Sequence, residues 1–119
     1  MTLCSNIPNK EFWKGKNVLV TGHTGFKGSW LCLWLLKMGV KVSGISLDPE
    51  SSKNHFDSLN IKEELNHIIC DVRDRENLKN HLKQINPEII FHLAAQPLVL
   101  TSYVKPVETW EVNVIGTIN

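Results

Sequence analysis

Three glycines at fixed spacing constrain this 119-residue chain more than any other feature. Gly22, Gly25 and Gly28 follow a short apolar run at 17–21 and lead into a second apolar segment that begins at Phe26. A strand buried on both faces has such a continuous apolar run, and glycines allow the chain to turn tightly into a helix packed against that strand. The pattern therefore predicts a strand, a close turn and a helix, which together begin a βαβ unit.

The remaining sequence repeats this alternation between apolar runs and segments with helical spacing. Each predicted strand is short and continuous, which favours an α/β fold with a parallel sheet and helices on both faces. Residues 94–105 show neither period and are expected to be irregular. The predicted elements are strands 17–21, 41–47, 67–70 and 89–93, helices 26–38, 75–86 and 106–119, and a short turn of helix at 55–59.

Length and charge limit the classes of protein to which this chain can belong. The chain is long enough for one domain, and its 13 Lys and Arg nearly balance its 12 Asp and Glu. The net charge of +1 offers no basic surface for nucleic acid or an anionic membrane. The longest apolar run, 30–36, is far shorter than the roughly 18 residues of a membrane span. Because residues 1–16 also lack a secretory signal, we expect a cytoplasmic protein with no membrane partner.

The cysteines carry no evident chemistry. Cys4, Cys32 and Cys70 are an odd number and contain no Cys-x-x-Cys pair, which argues against a disulfide framework and against a zinc site. We expect three reduced thiols and no metal.

The glycine turn also has the spacing that lets a backbone approach a pyrophosphate at a helix N-terminus, where unpaired N–H groups point outward. Asp48 follows the second predicted strand, 20 positions after Gly28, where an acidic residue holds the ribose in dinucleotide-binding folds. Its carboxylate would repel a 2′-phosphate, which favours NAD over NADP. Plainer interpretations remain: the glycines could only turn the chain, and Asp48 could only stabilise the Asp-Pro turn. A P-loop is excluded because no Gly-Lys-Ser/Thr follows at the required distance.

Four segments in order carry a family resemblance. They read VTGHTGFKGSWL at 20–31, DVRD at 71–74, HLAAQPLV at 92–99 and NVIGT at 113–117. Together they resemble the extended short-chain dehydrogenase/reductases that act on nucleotide sugars, over nearly the whole chain from Phe12 onward. The resemblance implies a Rossmann-type parallel sheet of about four strands in the order 3-2-1-4. We expect a frayed lead-in at 1–11 and, at 12–119, the N-terminal part of an NAD-binding domain, cut in its last helix and incomplete at its C-terminus.

The resemblance also implies which residues bind NAD. The turn would hold the pyrophosphate, Asp48 the ribose, and the segments after the third and fourth strands the adenine and the nicotinamide ribose. Asp71 could instead cap a helix, and Asn113 could instead be a buried structural hydrogen bonder. The expected cofactor-binding residues are Gly22, Thr24, Gly25, Phe26, Lys27, Gly28, Asp48, Asp71, Val72, Leu93, Ala94, Ala95, Gln96 and Asn113.

The activity that the resemblance implies is a 4,6-dehydration of a nucleotide sugar, with CDP-glucose as the expected substrate and a homodimer as the expected assembly. NAD would take hydride from C4, water would leave across C5 and C6, and the hydride would return to C6. The family's catalytic Tyr-x-x-x-Lys is missing, because Tyr103 is the only tyrosine and Val107 follows it four positions later. We expect no catalytic residue before Asn119. Another epimerase or dehydratase of the family, or an NAD-binding module without catalysis, are the alternatives.

Two histidines lie near the predicted site, His23 in the glycine turn and His92 in the fourth strand. His92, inside an apolar strand, is expected to be a satisfied core residue, and His23 lies in a turn suited to backbone contacts. Neither is expected to be catalytic. The helix at 26–38 is apolar on nearly every side, so we expect the rest of a complete protein, or a partner chain, to cover part of it.

Overall fold

The computed structural model describes residues 8–49 and 51–119, and it contains one four-stranded parallel sheet. The strand order is β3-β2-β1-β4, which confirms the predicted 3-2-1-4 topology. In the registers, Val18 of β1 lies beside Val42 of β2 on one side and Ile89 of β4 on the other. The chain therefore crosses the whole sheet between β3 and β4, and the order reverses at β1. The strands are β1 (Asn17–Thr21), β2 (Lys41–Ser46), β3 (Asn66–Ile69) and β4 (Ile89–His92).

The helices flank this sheet. The predicted helix from Pro106 is present, but a π-helical turn at Glu111–Ile115 interrupts it. A 3-10 turn, Lys62–Glu64, precedes β3. The α-helices are α1 (Lys10–Trp13), α2 (Phe26–Lys37), α3 (His55–Leu59), α4 (Arg75–Ile85), α5 (Val99–Val104), α6 (Pro106–Trp110) and α7 (Gly116–Ile118).

Two segments expected to be irregular contain helices. The stretch 94–105 was expected to lack regular structure, and this is wrong for Val99–Val104, which forms α5. Its residues give no two-sided pattern because Val99, Tyr103 and Val104 are all exposed, so the periodicity that marks a helix is missing. At the other end, α1 begins at Lys10, inside the expected lead-in 1–11. Residues 1–7, with Cys4, lie outside the described part.

The core has one layer on each face of the sheet, and β1 contributes to both. Val18 and Val20 pack on one side with Leu35 of α2, while Leu19 packs on the other side with Leu78 of α4. All three β1 residues are completely buried. Because β1 packs against the core on both faces, it holds the start of the glycine turn in a fixed position.

The two described cysteines and the outer face of α2 can be placed directly. Cys32 and Cys70 are free and buried, and burial raises the pKa of the Cys32 thiol to about 12. On the opposite side of α2, Trp30 and Trp34 leave about half of their surface exposed. Within residues 8–49 and 51–119, none of the helices combines the length and apolar character of a membrane span.

His23 is the unexpected member of the core. Its position in the turn predicts a backbone role, yet its side chain is completely buried, with Nε2 2.6 Å from Nδ1 of His67. The ring lies edge-on to Phe56 and directly over Gly44, where a Cβ would collide with the imidazole. Burial, and then the neighbouring His67, lower the pKa of His23 to about 4. Gly44 therefore makes space in β2 for a neutral histidine.

The buried His23 ring predicts an acid-sensitive fold. Because the folded-state pKa of His23 lies below its ordinary value of 6.5, the unfolded chain binds more protons between these values, and stability falls as pH drops through that range. Between pH 7 and 5, His23 should remove about 2 kcal/mol from the free energy of unfolding. Urea unfolding at both pH values measures this loss.

Two matched variants test whether His23 causes this loss of stability. His23→Asn should reduce the loss between pH 7 and 5, whereas His81→Asn, on α4, should leave it unchanged. An equal loss in the wild type and His23→Asn would show that other groups cause the acid sensitivity.

Candidate functional site

A cavity of about 820 Å³ opens at the carboxyl ends of the strands, where the strand order reverses. Open parallel sheets bind their ligands at this place because the turns that leave neighbouring strands diverge there. Twelve of the fourteen predicted residues line it, all except Gln96 and Asn113. The sequence prediction missed eight further lining residues. Ser46 ends β2, Val112 lies in the π-helical turn, and the others directly follow strands or lie on the loops between elements: Leu47, Pro49, Ser51, Asn54, Cys70 and Pro97.

The glycine turn is packed too tightly for side chains. Gly22 has a φ of +71°, and a Cβ there would lie 2.8 Å from the backbone nitrogen of Ala94. A Cβ on Gly28 would overlap the carbonyl oxygen of Gly22. These contacts bring the end of β1, the start of α2 and the segment after β4 together as one wall of the cavity.

The N-terminus of α2 faces this cavity, and no side chain caps its first backbone N–H groups. Gly25 is the N-cap and makes no side-chain capping bond, and the first turn contains no acidic residue. Lys27 stands in that turn, where a cation is normally unfavourable beside the positive end of the helix dipole. Free N–H groups, the dipole and an ammonium group together favour an anion at this point.

Thr24 connects the glycine turn to the end of β2. Its hydroxyl donates to the carbonyl oxygen of Leu47 at 3.0 Å and lies 2.7 Å from the hydroxyl of Ser46, which is therefore the donor in that pair. Asp48 follows immediately, exposed and in the cavity wall. The bonds to Thr24 thus set the distance between the predicted pyrophosphate site and the predicted ribose site.

Asp71 and Val72 border the cavity just beyond β3. The alternative that Asp71 caps a helix does not hold, because Asp74 caps α4 by accepting from the backbone N–H of Asn77. Asp71 instead accepts from Arg73, whose hydrogen bonds lower the pKa of the carboxyl group. The carboxylate is half-buried and charged, which suits an acceptor in the cavity wall.

A chain of hydrogen bonds fixes the segment after β4. The Thr21 hydroxyl accepts from the backbone N–H groups of Leu93 and Ala94, so its own proton is donated to Nδ1 of His92 at 2.7 Å. Nε2 of His92 then carries the ring proton and donates to Thr117. His92 is exposed, which corrects the expected core position, although both ring nitrogens are bonded as predicted.

Gln96 and Asn113 act behind the cavity wall. The Asn113 side chain accepts from the backbone N–H of Gln96 at 2.8 Å and donates to its carbonyl oxygen at 3.1 Å. The Gln96 side chain in turn accepts from Leu98 and donates to Thr109. The structure therefore supports the alternative of a structural hydrogen bonder for Asn113, because both ends of its amide are used inside the protein.

A parallel sheet ordered 3-2-1-4, with a glycine turn and a cavity at the reversal of strand order, defines a Rossmann-type domain. Comparison with known proteins gives the particular group. The family described as GDP-mannose 4,6 dehydratase matches residues 19–119, and the chain belongs to this family.

Individual relatives agree with this assignment. CDP-glucose 4,6-dehydratase of Salmonella typhimurium is 50% identical over 93% of this chain, which spans 31% of the relative. Among solved structures, UDP-glucose 4-epimerase of Thermus thermophilus, in complex with NAD, has a TM-score of 0.74 and 31% identity over 85% of this chain and 31% of its own. Epimerase Mth375 of Methanothermobacter thermautotrophicus has a TM-score of 0.79 and 31% identity, covering 92% of this chain and 31% of the epimerase. The chain thus spans about a third of these relatives.

The bonds of Thr21 predict a strong effect of an isosteric substitution. Thr21→Val keeps the shape but leaves the Ala94 N–H and a ring nitrogen without their partner, while the Leu93 N–H keeps the Thr21 carbonyl oxygen as acceptor. The substitution should therefore lower the free energy of unfolding by about 2–3 kcal/mol. Thr21→Ser keeps the hydroxyl and should cost about 1 kcal/mol for the lost methyl group. Chemical denaturation measures both variants, and equal losses would contradict the assigned bonds.

Proposed function

We propose that this chain is the NAD-binding part of a cytoplasmic nucleotide-sugar 4,6-dehydratase that acts on CDP-glucose. The observation that carries the cofactor assignment is the cradle formed by Gly22, Gly28 and the uncapped start of α2. A side chain on either glycine would collide with neighbouring backbone and displace part of the cradle, and no acidic group in the first turn competes with an anion. The residues therefore fit a pyrophosphate.

Each part of NAD has residues suited to it. The backbone of Gly25 to Gly28, with Lys27, would hold the pyrophosphate, and Asp48 would accept from the ribose hydroxyls. Asp71 and Val72 would border the adenine, while Leu93, Ala94 and Ala95 would border the nicotinamide ribose. Gln96 and Asn113 would support the last group by holding the loop after β4.

When bound, NAD would supply the hydride acceptor and donor for the internal redox cycle. The described residues bind and orient the cofactor, and Tyr103 lies on α5 with most of its surface exposed. With Val107 four positions later, Tyr103 lacks the lysine that the family's catalytic tyrosine requires. The base for the C4 hydroxyl is therefore assigned to the part of the relatives that this chain does not span.

The choice of CDP-glucose as the substrate rests on sequence identity to the relatives. The chain is 50% identical to a CDP-glucose 4,6-dehydratase, whereas it is 34% identical to the GDP-mannose 4,6-dehydratase of Vibrio cholerae and 32% identical to the CDP-paratose 2-epimerase of Salmonella typhi. The homodimer that the resemblance implies is a further prediction.

Asp48 predicts the choice between the two nicotinamide dinucleotides. In the protein produced from its complete gene, Asp48→Asn should weaken NAD binding about tenfold and lower the preference for NAD over NADP, because the repulsion of a 2′-phosphate is lost. Calorimetric titration with both cofactors measures this preference. Glu76→Gln on α4 removes an exposed carboxylate elsewhere and should change neither affinity. An unaltered preference in Asp48→Asn would refute the ribose assignment.

The substrate assignment predicts the activity of the complete gene product. With NAD, it should convert CDP-glucose to the 4-keto-6-deoxy sugar and release one water for each sugar, with a kcat/KM at least about tenfold above those for UDP-glucose and GDP-mannose. Chromatography of the products measures all three reactions. A preference for UDP-glucose or GDP-mannose would support another member of the family, and NAD binding without turnover would support a non-catalytic module.

A further inference from the structure

Arg73 holds the Asp71 carboxylate in a fixed orientation. Its Nε lies 3.1 and 3.0 Å from the two carboxylate oxygens, and one terminal nitrogen lies 2.6 Å from Oδ2. The backbone N–H of Arg73 adds a bond of 2.9 Å to Oδ1. Such fork-shaped pairing fixes the plane of a carboxylate, which a single ammonium group could not do.

The same segment is attached to the last helical region. The other terminal nitrogen of Arg73 lies 3.7 Å from Glu111 at the start of the π-helical turn. Gly116 approaches Val72 so closely that a Cβ there would lie 2.6 Å from its Cγ2, and Asn119 donates to the Val72 carbonyl oxygen. The position of Asp71 in the cavity wall is thus held by Arg73 in its own turn and, through Val72 and Arg73, by contacts with the last helical region.

We propose that Arg73 is a positioning residue that orients the Asp71 carboxylate to accept a hydrogen bond from the exocyclic amine of adenine. Arg73 itself makes no contact with the base in this proposal, which rests on the proposed binding of NAD. It extends that function by assigning the recognition of the base to a pair of side chains, with Glu111 as a second support.

The chemistry predicts a specific discrimination. Adenine presents an N–H donor at its exocyclic position, whereas hypoxanthine presents a carbonyl oxygen there. A carboxylate has only acceptors, so it matches the amine and repels the carbonyl oxygen. The repulsion is strong only while the carboxylate is held against the base, because a free side chain would rotate away. Arg73 should therefore increase the preference for NAD over nicotinamide hypoxanthine dinucleotide.

A double-mutant cycle tests this in the protein produced from its complete gene. Arg73→Ala should weaken NAD binding about five- to tenfold and change binding of the hypoxanthine analogue less than about twofold. In an Asp71→Ala background, adding Arg73→Ala should change NAD affinity less than about twofold, because the partner through which Arg73 acts is gone. Arg73→Lys should resemble Arg73→Ala, since it keeps the charge and loses the fork. Calorimetry with both dinucleotides gives all the affinities.

Arg75 provides the control, because it is the same residue type, exposed at the first turn of α4. Arg75→Ala should leave both affinities unchanged. Equal weakening of both dinucleotides by Arg73→Ala, or an undiminished effect in the Asp71→Ala background, would overturn the proposal. Tighter NAD binding by Arg73→Ala would also overturn it, since Arg73 would then compete with adenine. Failure of the wild type and Arg75→Ala to bind NAD would instead refute the proposed function.

Discussion

The contact of Gly28 with the carbonyl oxygen of Gly22 is the constraint on which the rest of the structure depends. It brings the first turn of α2 against the end of β1, so the unpaired amides of the helix point into the space beyond the sheet. β1 can provide a fixed position for this contact because it is buried on both faces. A methyl group on Gly28 would push the helix away from the end of the strand, and one on Gly22 would push away the segment after β4, so the cavity would lose the wall that favours an anion.

Side-chain hydrogen bonds then extend this fixed position to the neighbouring strands. Thr24 ties the turn to the end of β2, and Thr21 ties the end of β1 to the backbone after β4. Each bond joins residues that are close in space because adjacent parallel strands end at the same edge. Asp48 and Ala94 therefore face one cavity although 46 positions separate them in the chain.

The strands, the glycine turn and most of the cavity wall were predictable because they depend on local patterns: continuous apolar runs and glycines at fixed spacing. What was not predictable depends on contacts between distant positions. His23 becomes a core residue only because Gly44 on β2 leaves space for its ring, and His67 on β3 meets it. Asn113 lies outside the cavity because Gln96 uses both ends of its amide. The pairing of Arg73 with Asp71 is local, yet an arginine before a helix is equally typical of a solvated surface.

The near-neutral net charge of the chain is compatible with an anion site in this architecture. A net charge of +1 excludes a broad basic surface, yet the site can still attract an anion because its positive potential is local. Backbone amides and the dipole of α2 supply part of it without any charged side chain, and Lys27 adds a single positive charge. Asp48 and Asp71 also line the cavity, and a charged carboxylate can only accept hydrogen bonds. The cavity is therefore lined by groups that favour an anion and by groups that favour hydrogen-bond donors. A ligand that carries both would bind in one orientation, whatever the net charge of the protein.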